Sequence, residues 1–324
     1  MALFRLYYQK GKNSNLTTLL NAMSFRYPHS PLRCRSLLFA APLVVFALLC
    51  SSPANAVTVT WNAGDGNWGT AGNWNPAQVP NVAGGDDAVI DNGATVTYVP
   101  GGDLIINNGG SLAISGPGST WRQTVTNWTQ VWDGSLSVTG GGRFERTTGG
   151  NLMLGQSGSN TNAELNVFGP GSTVAIGGEL WFGHSGTGQT NQVASINIGD
   201  GGSIIANGTV GLWLWDYDAP GNDFKITFER GPGSFIEVSN RFGIRENSGA
   251  SNNQAQWQTL WDLGILNAWG NSGLTGAELL DFFEVTGSHL ADGQSYRITL
   301  VVPEPGRAAL LAVAALGLML RRRR

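Results

Sequence analysis

A short glycine-rich motif recurs along the middle of this 324-residue chain and constrains its fold more than any other feature. Each copy has a segment of alternating apolar residues followed by a Gly-Pro-Gly-Ser or Gly-Gly step. The leading apolar residues lie at positions 112, 136, 165, 196 and 226, so successive copies are 24 to 31 residues apart. A repeat of this length predicts supersecondary units that stack and share one continuous core. The copies are residues 111–119, 135–140, 164–172, 195–203 and 225–234.

Each repeat contains three short strand-like segments, which is about one coil of a parallel β-helix. After the 164–172 copy, for example, residues 174–176 and 180–183 are also short and apolar. We therefore predict an all-β protein whose residues 101–248 form a right-handed parallel β-helix, or solenoid. A β-sandwich is the alternative, because it also has short strands and regular turns. The repeated motif favours the solenoid, since a sandwich does not need one.

Residues 57–100 precede the repeats and are rich in Trp-Asn pairs around Trp61, Trp68 and Trp74. This segment resembles the Trp-Asn element found before β-solenoid repeats in bacterial surface proteins and autotransporter-type passenger proteins. The resemblance implies that residues 57–100 form an N-terminal cap together with the first strands.

Residues 249–301 are less repetitive and are the candidate C-terminal cap, because a solenoid must cover its last open coil. Within them, residues 274–283 are predicted to form a short helix with Thr275 as its N-cap and Glu278 three residues later. The alternating residues 296–301 predict a final strand.

The first 56 residues have no Asp or Glu and carry six Lys or Arg side chains. An apolar run at 37–49 is followed by Ala54-Asn55-Ala56, so residues 1–56 are predicted to be a secretory signal peptide cleaved after Ala56. Met23 would give a leader of more ordinary length, which makes residues 1–22 a candidate mis-annotated start. Both cysteines lie in this leader, so the mature protein is expected to have no disulfide.

The other end, residues 302–324, combines a Pro-Glu-Pro motif, an apolar run at 308–320 and a terminal Arg cluster. It resembles the PEP-CTERM sorting signal. The resemblance implies an exported protein of a polymer-secreting Gram-negative host, which an exosortase-type enzyme processes while the apolar helix holds it transiently in the inner membrane. An ordinary tail anchor is the alternative, but 13 apolar residues are few for a permanent span. The residues that carry the resemblance are Pro303, Glu304, Pro305, Arg321, Arg322, Arg323 and Arg324.

Residues 57–306 are strongly acidic once both ends are set aside. They hold eight Lys or Arg and all 22 Asp or Glu, a formal net charge of −14. Such a domain does not bind nucleic acid by neutralising phosphates, and it attracts cations.

No motif of a known catalytic class is present, so no catalytic residue is predicted. The best carboxylate pair for a glycosidase is Asp216 and Asp218, because residues two apart on a strand share a face. The Pro220-Gly221 step that follows them favours a loop instead. No cofactor is predicted. Asp86, Asp87 and Asp91 are candidate Ca²⁺ ligands, although their spacing matches no defined loop and equally suits a charged turn.

The tryptophans suggest a different chemistry. Trp213 and Trp215 alternate along one segment, so they are predicted to lie on one face and could stack on sugar rings. Our leading interpretation is a non-enzymatic cell-surface or extracellular-matrix protein exported by the secretion machinery. The alternatives are a protein that binds extracellular polysaccharide and a β-helix lyase or glycosidase. A row of tryptophans on one solenoid face favours binding, and a cleft with converging carboxylates favours an enzyme.

Overall fold

The chain folds into a parallel β-solenoid in a computed structural model that describes residues 56–155, 161–183, 190–208, 211–229, 231, 233–238, 242–244, 253–287 and 296–301. The strands follow one another coil by coil. They are β1 (Thr58–Trp61), β2 (Gly66–Asn67), β3 (Trp74–Asn75), β4 (Asp87–Ile90), β5 (Thr95–Tyr98), β6 (Leu104–Ile106), β7 (Gly110–Ser115), β8 (Thr120–Gln123), β9 (Thr129–Val131), β10 (Gly134–Thr139), β11 (Arg143–Arg146), β12 (Leu152–Leu154), β13 (Thr161–Phe168), β14 (Thr173–Ile176), β15 (Leu180–Phe182), β16 (Gln192–Gly199), β17 (Ser203–Ala206), β18 (Leu212–Leu214), β19 (Asp223–Phe228), β20 (Phe235–Val238), β21 (Phe242–Ile244), β22 (Leu266–Ala268), β23 (Phe283–Gly287) and β24 (Tyr296–Leu300).

Every third strand joins the same sheet, which produces six complete three-strand coils from β4 to β21. Sheet A has the order β22-β19-β16-β13-β10-β7-β4-β1-β3, sheet B the order β2-β5-β8-β11-β14-β17-β20-β24-β23, and sheet C the order β21-β18-β15-β12-β9-β6. Strands of consecutive coils pair in parallel, as β10 does with β7 and β13. This pairing confirms the solenoid and excludes the β-sandwich.

The period-two alternation of the repeats places apolar side chains in the interior of the solenoid and polar side chains on its solvent-facing surface. Along β13, Ala163, Leu165 and Val167 are fully buried, whereas Glu164 and Asn166 are partly exposed. The parallel register then aligns like with like, so Leu136, Leu165 and Ile196 form one continuous apolar row inside the solenoid. Burying each such side chain stabilises the fold by about 1.5–3 kcal/mol.

The corner between sheets A and B has a two-coil pattern. The position before each sheet B strand carries serine in every second coil and a smaller residue between, in the row Ala94, Ser119, Gly142, Ser172, Gly202 and Ser234. Each serine is buried and accepts a hydrogen bond from a glycine N–H of the preceding coil. The Oγ atoms of Ser119, Ser172 and Ser234 accept from the N–H of Gly93, Gly141 and Gly201 at 3.0, 3.0 and 3.1 Å. The Gly-Pro-Gly-Ser steps of the sequence are therefore corner ties between coils.

The interior also holds one buried guanidinium. Arg146 is 2% exposed and donates to the hydroxyl of Thr129 at 2.9 Å and to the carbonyls of Asn151 and Asn127. Burial lowers the pKa of Arg146 to about 10, and the carboxylate of Asp103 acts in the opposite direction. The same two carbonyls also accept from the N–H of Thr129 and from Nε2 of Gln123, so Arg146 joins a hydrogen-bond network between sheets B and C.

At the N-terminal end, Trp61, Trp68 and Trp74 are all buried. The rings of Trp61 and Trp68 both meet Trp74 edge-on with centroids 4.9 Å apart. The row of aromatic rings continues inward from Trp68 through Tyr98 to Trp121. The edge strand β3 pairs antiparallel with β1, so it ends the parallel stacking of sheet A on this side.

At the C-terminal end, helix α1 (Asn253–Asp262) buries Trp257, Leu260 and Trp261 in the core. The antiparallel strands β24 and β23 extend sheet B beyond β20. The short helix expected at 274–283 is wrong in detail. Two 3₁₀ turns, Gly273–Thr275 and Leu279–Asp281, lie there, separated by Gly276 in the left-handed conformation, where φ is 76°.

The predicted signal peptide, including Ala54, and the sorting segment 302–324 lie outside the described residues, apart from Ala56. Within the described part of the chain, no helix combines the length and the apolar character needed to cross a membrane.

Candidate functional site

The outer surface of sheet C carries a row of residues that the parallel register aligns across the coils. The row runs through Ile105, Gln130, Met153, Trp181, Trp213 and Gly243. Its aromatic part is extended by Trp128, which precedes β9, and by Trp215, which follows β18. We call Trp128, Trp181, Trp213 and Trp215 the tryptophan ridge.

The rings of the tryptophan ridge pack against one another. Trp181 lies at its centre, with ring centroids 4.9 Å from Trp128, 6.5 Å from Trp213 and 5.4 Å from Trp215. Trp213 and Trp215 are stacked with centroids 5.2 Å apart and planes 18° apart. The structure therefore brings together the two tryptophans that the sequence placed on one face, and adds two more.

One carboxylate fixes the orientation of two of these rings. Oε2 of Glu179 accepts hydrogen bonds from Nε1 of Trp181 at 2.8 Å and Nε1 of Trp213 at 3.1 Å. Glu179 is itself positioned by its backbone N–H, which donates to Oδ1 of Asn151 at 2.9 Å. Because both indole N–H groups point to the same acceptor, the two rings cannot rotate independently.

The tryptophan ridge is only partly used in packing. Met153 lies in the outward row next to Trp181, yet it is fully buried. Each of the four ridge tryptophans nevertheless keeps an intermediate exposure. The result is a pre-ordered aromatic surface over several coils, which is the kind of surface on which the apolar faces of sugar rings stack.

A second network lies toward the N-terminal side of the same face. Asp103 accepts from the backbone N–H of Trp128 at 2.8 Å and from Nε2 of Gln130 at 2.6 Å. Oε1 of Gln130 accepts from Nε1 of Trp132 at 2.9 Å. The bond to the backbone of Trp128 anchors one end of the tryptophan ridge.

Asp216 and Asp218 do not lie on a strand. Asp216 follows β18 with φ 47°, and its carbonyl accepts from the N–H of Ala219 at 2.8 Å and from Nδ2 of Asn222 at 2.7 Å. This turn removes the geometric premise for a carboxylate pair on one strand face.

The three aspartates considered for Ca²⁺ lie near β4. Oδ1 of Asp86 accepts from the N–H of Val57 at 3.2 Å and Oδ2 from that of Asn81 at 2.8 Å. Oδ1 of Asp87 accepts from Oγ of Ser111 at 2.6 Å, and Asp91 is exposed. Within the described part of the chain, no three His, Cys, Asp or Glu side chains are grouped to hold a metal ion.

Sequence reasoning found Trp213 and Trp215 but not Glu179, Trp181 or Trp128 as their partners. The available signal was the position of Trp181 and Trp213 within equivalent strands of neighbouring repeats. Comparison of the chain with protein-family models, with curated proteins and with solved structures finds no match.

Proposed function

We propose that this chain is a non-enzymatic, exported β-solenoid of the cell surface or extracellular matrix that binds a polysaccharide through the tryptophan ridge. The observation that carries the proposal is the alignment of Trp181 and Trp213 on the outer face of sheet C. Aromatic side chains there are not needed to close the solenoid core, which is complete inside the coils. A linear ridge over several coils suits a polymer better than a small molecule.

The electrostatics and the two ends of the sequence support the same proposal. An acidic domain with a net charge of −14 over residues 57–306 disfavours polyphosphate partners and stays soluble outside the cell. The N-terminal leader and the PEP-CTERM-like segment fit export through the secretion machinery, followed by processing by an exosortase-type enzyme.

Binding is tested by affinity electrophoresis in gels that contain the exopolysaccharide of the native host. Trp213→Ala removes one stacked ring and is expected to weaken binding by about 1–2 kcal/mol, roughly tenfold in Kd. Trp132→Ala is the matched control, because Trp132 is a partly exposed tryptophan of the same face outside the tryptophan ridge. Equal Kd values for Trp213→Ala and the unaltered protein would contradict the assignment of the ridge.

Export and sorting are tested by the mass of the protein recovered from envelope and medium fractions of the host. The expected product begins at Val57 and lacks the apolar segment 308–320. A product that still ends at Arg324 in the inner membrane would show that the segment is a permanent anchor.

A further inference from the structure

An open groove with a volume of about 790 Å³ lies on the outer surface of sheet A, near the C-terminal end of the solenoid. It crosses four consecutive strands, β13, β16, β19 and β22, which pair in parallel. Sheet A is not the sheet that carries the tryptophan ridge. The groove is lined by Asn166, Phe168, Asn197, Asp200, Glu229, Trp269 and Gly270.

Gly199 is buried beneath the groove, between two of its lining residues, Phe168 and Glu229. It pairs with Phe168 of the preceding coil, and Glu229 follows in the next coil. A Cβ atom at position 199 would lie 3.0 Å from Cε1 of Phe168 and 3.0 Å from Cβ of Glu229. The ring of Phe168 and the side chain of Glu229 therefore pack closely over Gly199, and a larger residue at that position would push them apart.

Two aromatic rings belong to the groove. Phe168 is partly exposed at one side, and Trp269 is partly exposed directly after β22, the last strand of the row. Trp269 is held edge-on by Phe282 of the C-terminal segment, with centroids 6.0 Å apart. Its Nε1 is enclosed and has no hydrogen-bond partner among the described residues, so the ring offers apolar surface to the groove rather than a donor.

The polar lining is dominated by hydrogen-bond acceptors. Asn166 and Asn197 lie side by side, and Nδ2 of Asn197 donates to Oδ1 of Asn166 at 2.9 Å. The carboxylates of Asp200 and Glu229 are exposed, and no described residue forms a hydrogen bond or an ion pair with either. Lys225, the basic residue of β19, is engaged elsewhere, with Oδ1 of Asp223 and the carbonyl of Gly264, each at 3.2 Å.

We infer that this groove is a second saccharide-binding subsite, selective for a non-acidic sugar residue of a polysaccharide. Sugar hydroxyl groups donate to the carboxylates of Asp200 and Glu229 and to the amide oxygen of Asn197, while Phe168 and Trp269 contact the apolar face of the sugar ring. A uronic acid residue is repelled, because its carboxylate meets two others of the same sign. The inference deepens the proposed polysaccharide binding, but it does not require the tryptophan ridge to be a site.

The test uses affinity electrophoresis of the full chain carrying Trp213→Ala, so that the tryptophan ridge is weakened in every sample. The gels contain dextran, laminarin or galactomannan as neutral polymers, or alginate as a polyuronate. We expect at least one neutral polymer to retard the protein, alginate to retard it less, and Asp200→Asn with Glu229→Gln to raise the Kd for the neutral polymer about tenfold. Asn tolerates the left-handed conformation of residue 200, where φ is 53°, so the turn is kept.

Glu164→Gln is the matched control, because it removes one carboxylate from the same face of β13 outside the groove lining. It is expected to leave the Kd unchanged. Retardation by no neutral polymer, stronger retardation by alginate, or an unchanged Kd in the Asp200→Asn, Glu229→Gln protein would overturn the inference. Parallel measurements with Trp213 intact keep the two sites apart. Weaker binding on Trp213→Ala reports on the tryptophan ridge, and the binding that remains reports on the groove.

Discussion

The serine at the corner between sheets A and B allows a quantitative test of how the coils are tied together. Ser172 is fully buried, accepts from the N–H of Gly141 at 3.0 Å and donates to the carbonyl of Phe168 at 2.6 Å. In Ser172→Ala the Phe168 carbonyl keeps a second donor, the N–H of Gly140 at 3.1 Å. The N–H of Gly141 keeps none among the described residues.

The expected cost follows from that difference. Gly141 is partly exposed, so water can reach its freed N–H, and Ser172→Ala should lower the free energy of unfolding by about 0.5–1.5 kcal/mol, the net contribution of one hydrogen bond. Gly202→Ala should cost more, although it adds only one methyl group to the neighbouring position of the same row. Its Cβ would lie 2.3 Å from the carbonyl oxygen of Val167, a backbone atom that cannot move alone.

Urea unfolding followed by tryptophan fluorescence and by circular dichroism measures both effects. Ser137→Ala is the matched control, because Ser137 lies on the outer face of β10 and is partly exposed. Its change should stay within about 0.5 kcal/mol. A Ser172→Ala protein as stable as the Ser137→Ala protein would show that the corner ties add nothing, and that sheet hydrogen bonds and core packing alone hold the coils together.

Two further predictions concern ion pairs on sheet B. Glu237 is 3% exposed, and Arg297 of β24 donates to its Oε2 at 2.6 Å. Arg297→Ala leaves this buried carboxylate unpaired, so it should lower the free energy of unfolding in urea by about 3–5 kcal/mol. Burial acts to raise the pKa of Glu145, but hydrogen bonds and charges from Arg122 and Arg143 outweigh it and the pKa is lowered. The stabilisation is therefore present above the unfolded-state pKa and is lost as the pH falls through the lower folded-state pKa. Because the arginines are about half exposed, the interaction contributes at most about 1 kcal/mol. The free energy of unfolding should fall by up to that amount between pH 6 and pH 3 through Glu145, and Glu145→Gln should abolish this part of the pH dependence.

The coil architecture could be predicted from the sequence because its determinants are local and repeated. Alternation in residues 164–168 sets which side chains of β13 enter the core, and the Gly-Pro-Gly-Ser step after them makes the corner. The repeat spacing then fixes which residues align between coils. Because these three signals agree with one another, the sequence was sufficient to predict the solenoid that the structure shows.

The C-terminal end was harder because two signals compete there. Residues 274–283 contain a capping pattern at Thr275 and Glu278, but Gly276 takes the left-handed conformation and divides the segment into two 3₁₀ turns. The α-helix forms instead at Asn253–Asp262, where Trp257, Leu260 and Trp261 have the i, i+3, i+4 spacing of one buried face. The capping pattern at Thr275 and Glu278 was therefore a weaker predictor of an α-helix than the continuous apolar face of residues 257–261.

The groove on sheet A could not be predicted because it depends on register across four strands. Phe168, Gly199, Glu229 and Trp269 are separated by 30 to 40 residues along the chain, and each is unremarkable in its own segment. A shift of one residue in any strand would turn its member inward and destroy the row. Only the strand pairing shows that Gly199, which has no side chain, lies between the large side chains of Phe168 and Glu229.

The two candidate sites share two coils of the solenoid, although the tryptophan ridge also includes Trp128 of an earlier coil. The coil of β13 to β15 supplies Phe168 to the groove and Trp181 to the tryptophan ridge, and the next coil supplies Asn197 to the groove and Trp213 to the ridge. On the outer face of sheet A, the positions of earlier coils that align with the groove carry small side chains, such as Ser137, which pairs with Asn166. The interior fixes every inward residue, so the outward rows are free to differ from coil to coil. Under the proposed function, the large side chains on two outer faces of these coils would contact the polymer from two sheets.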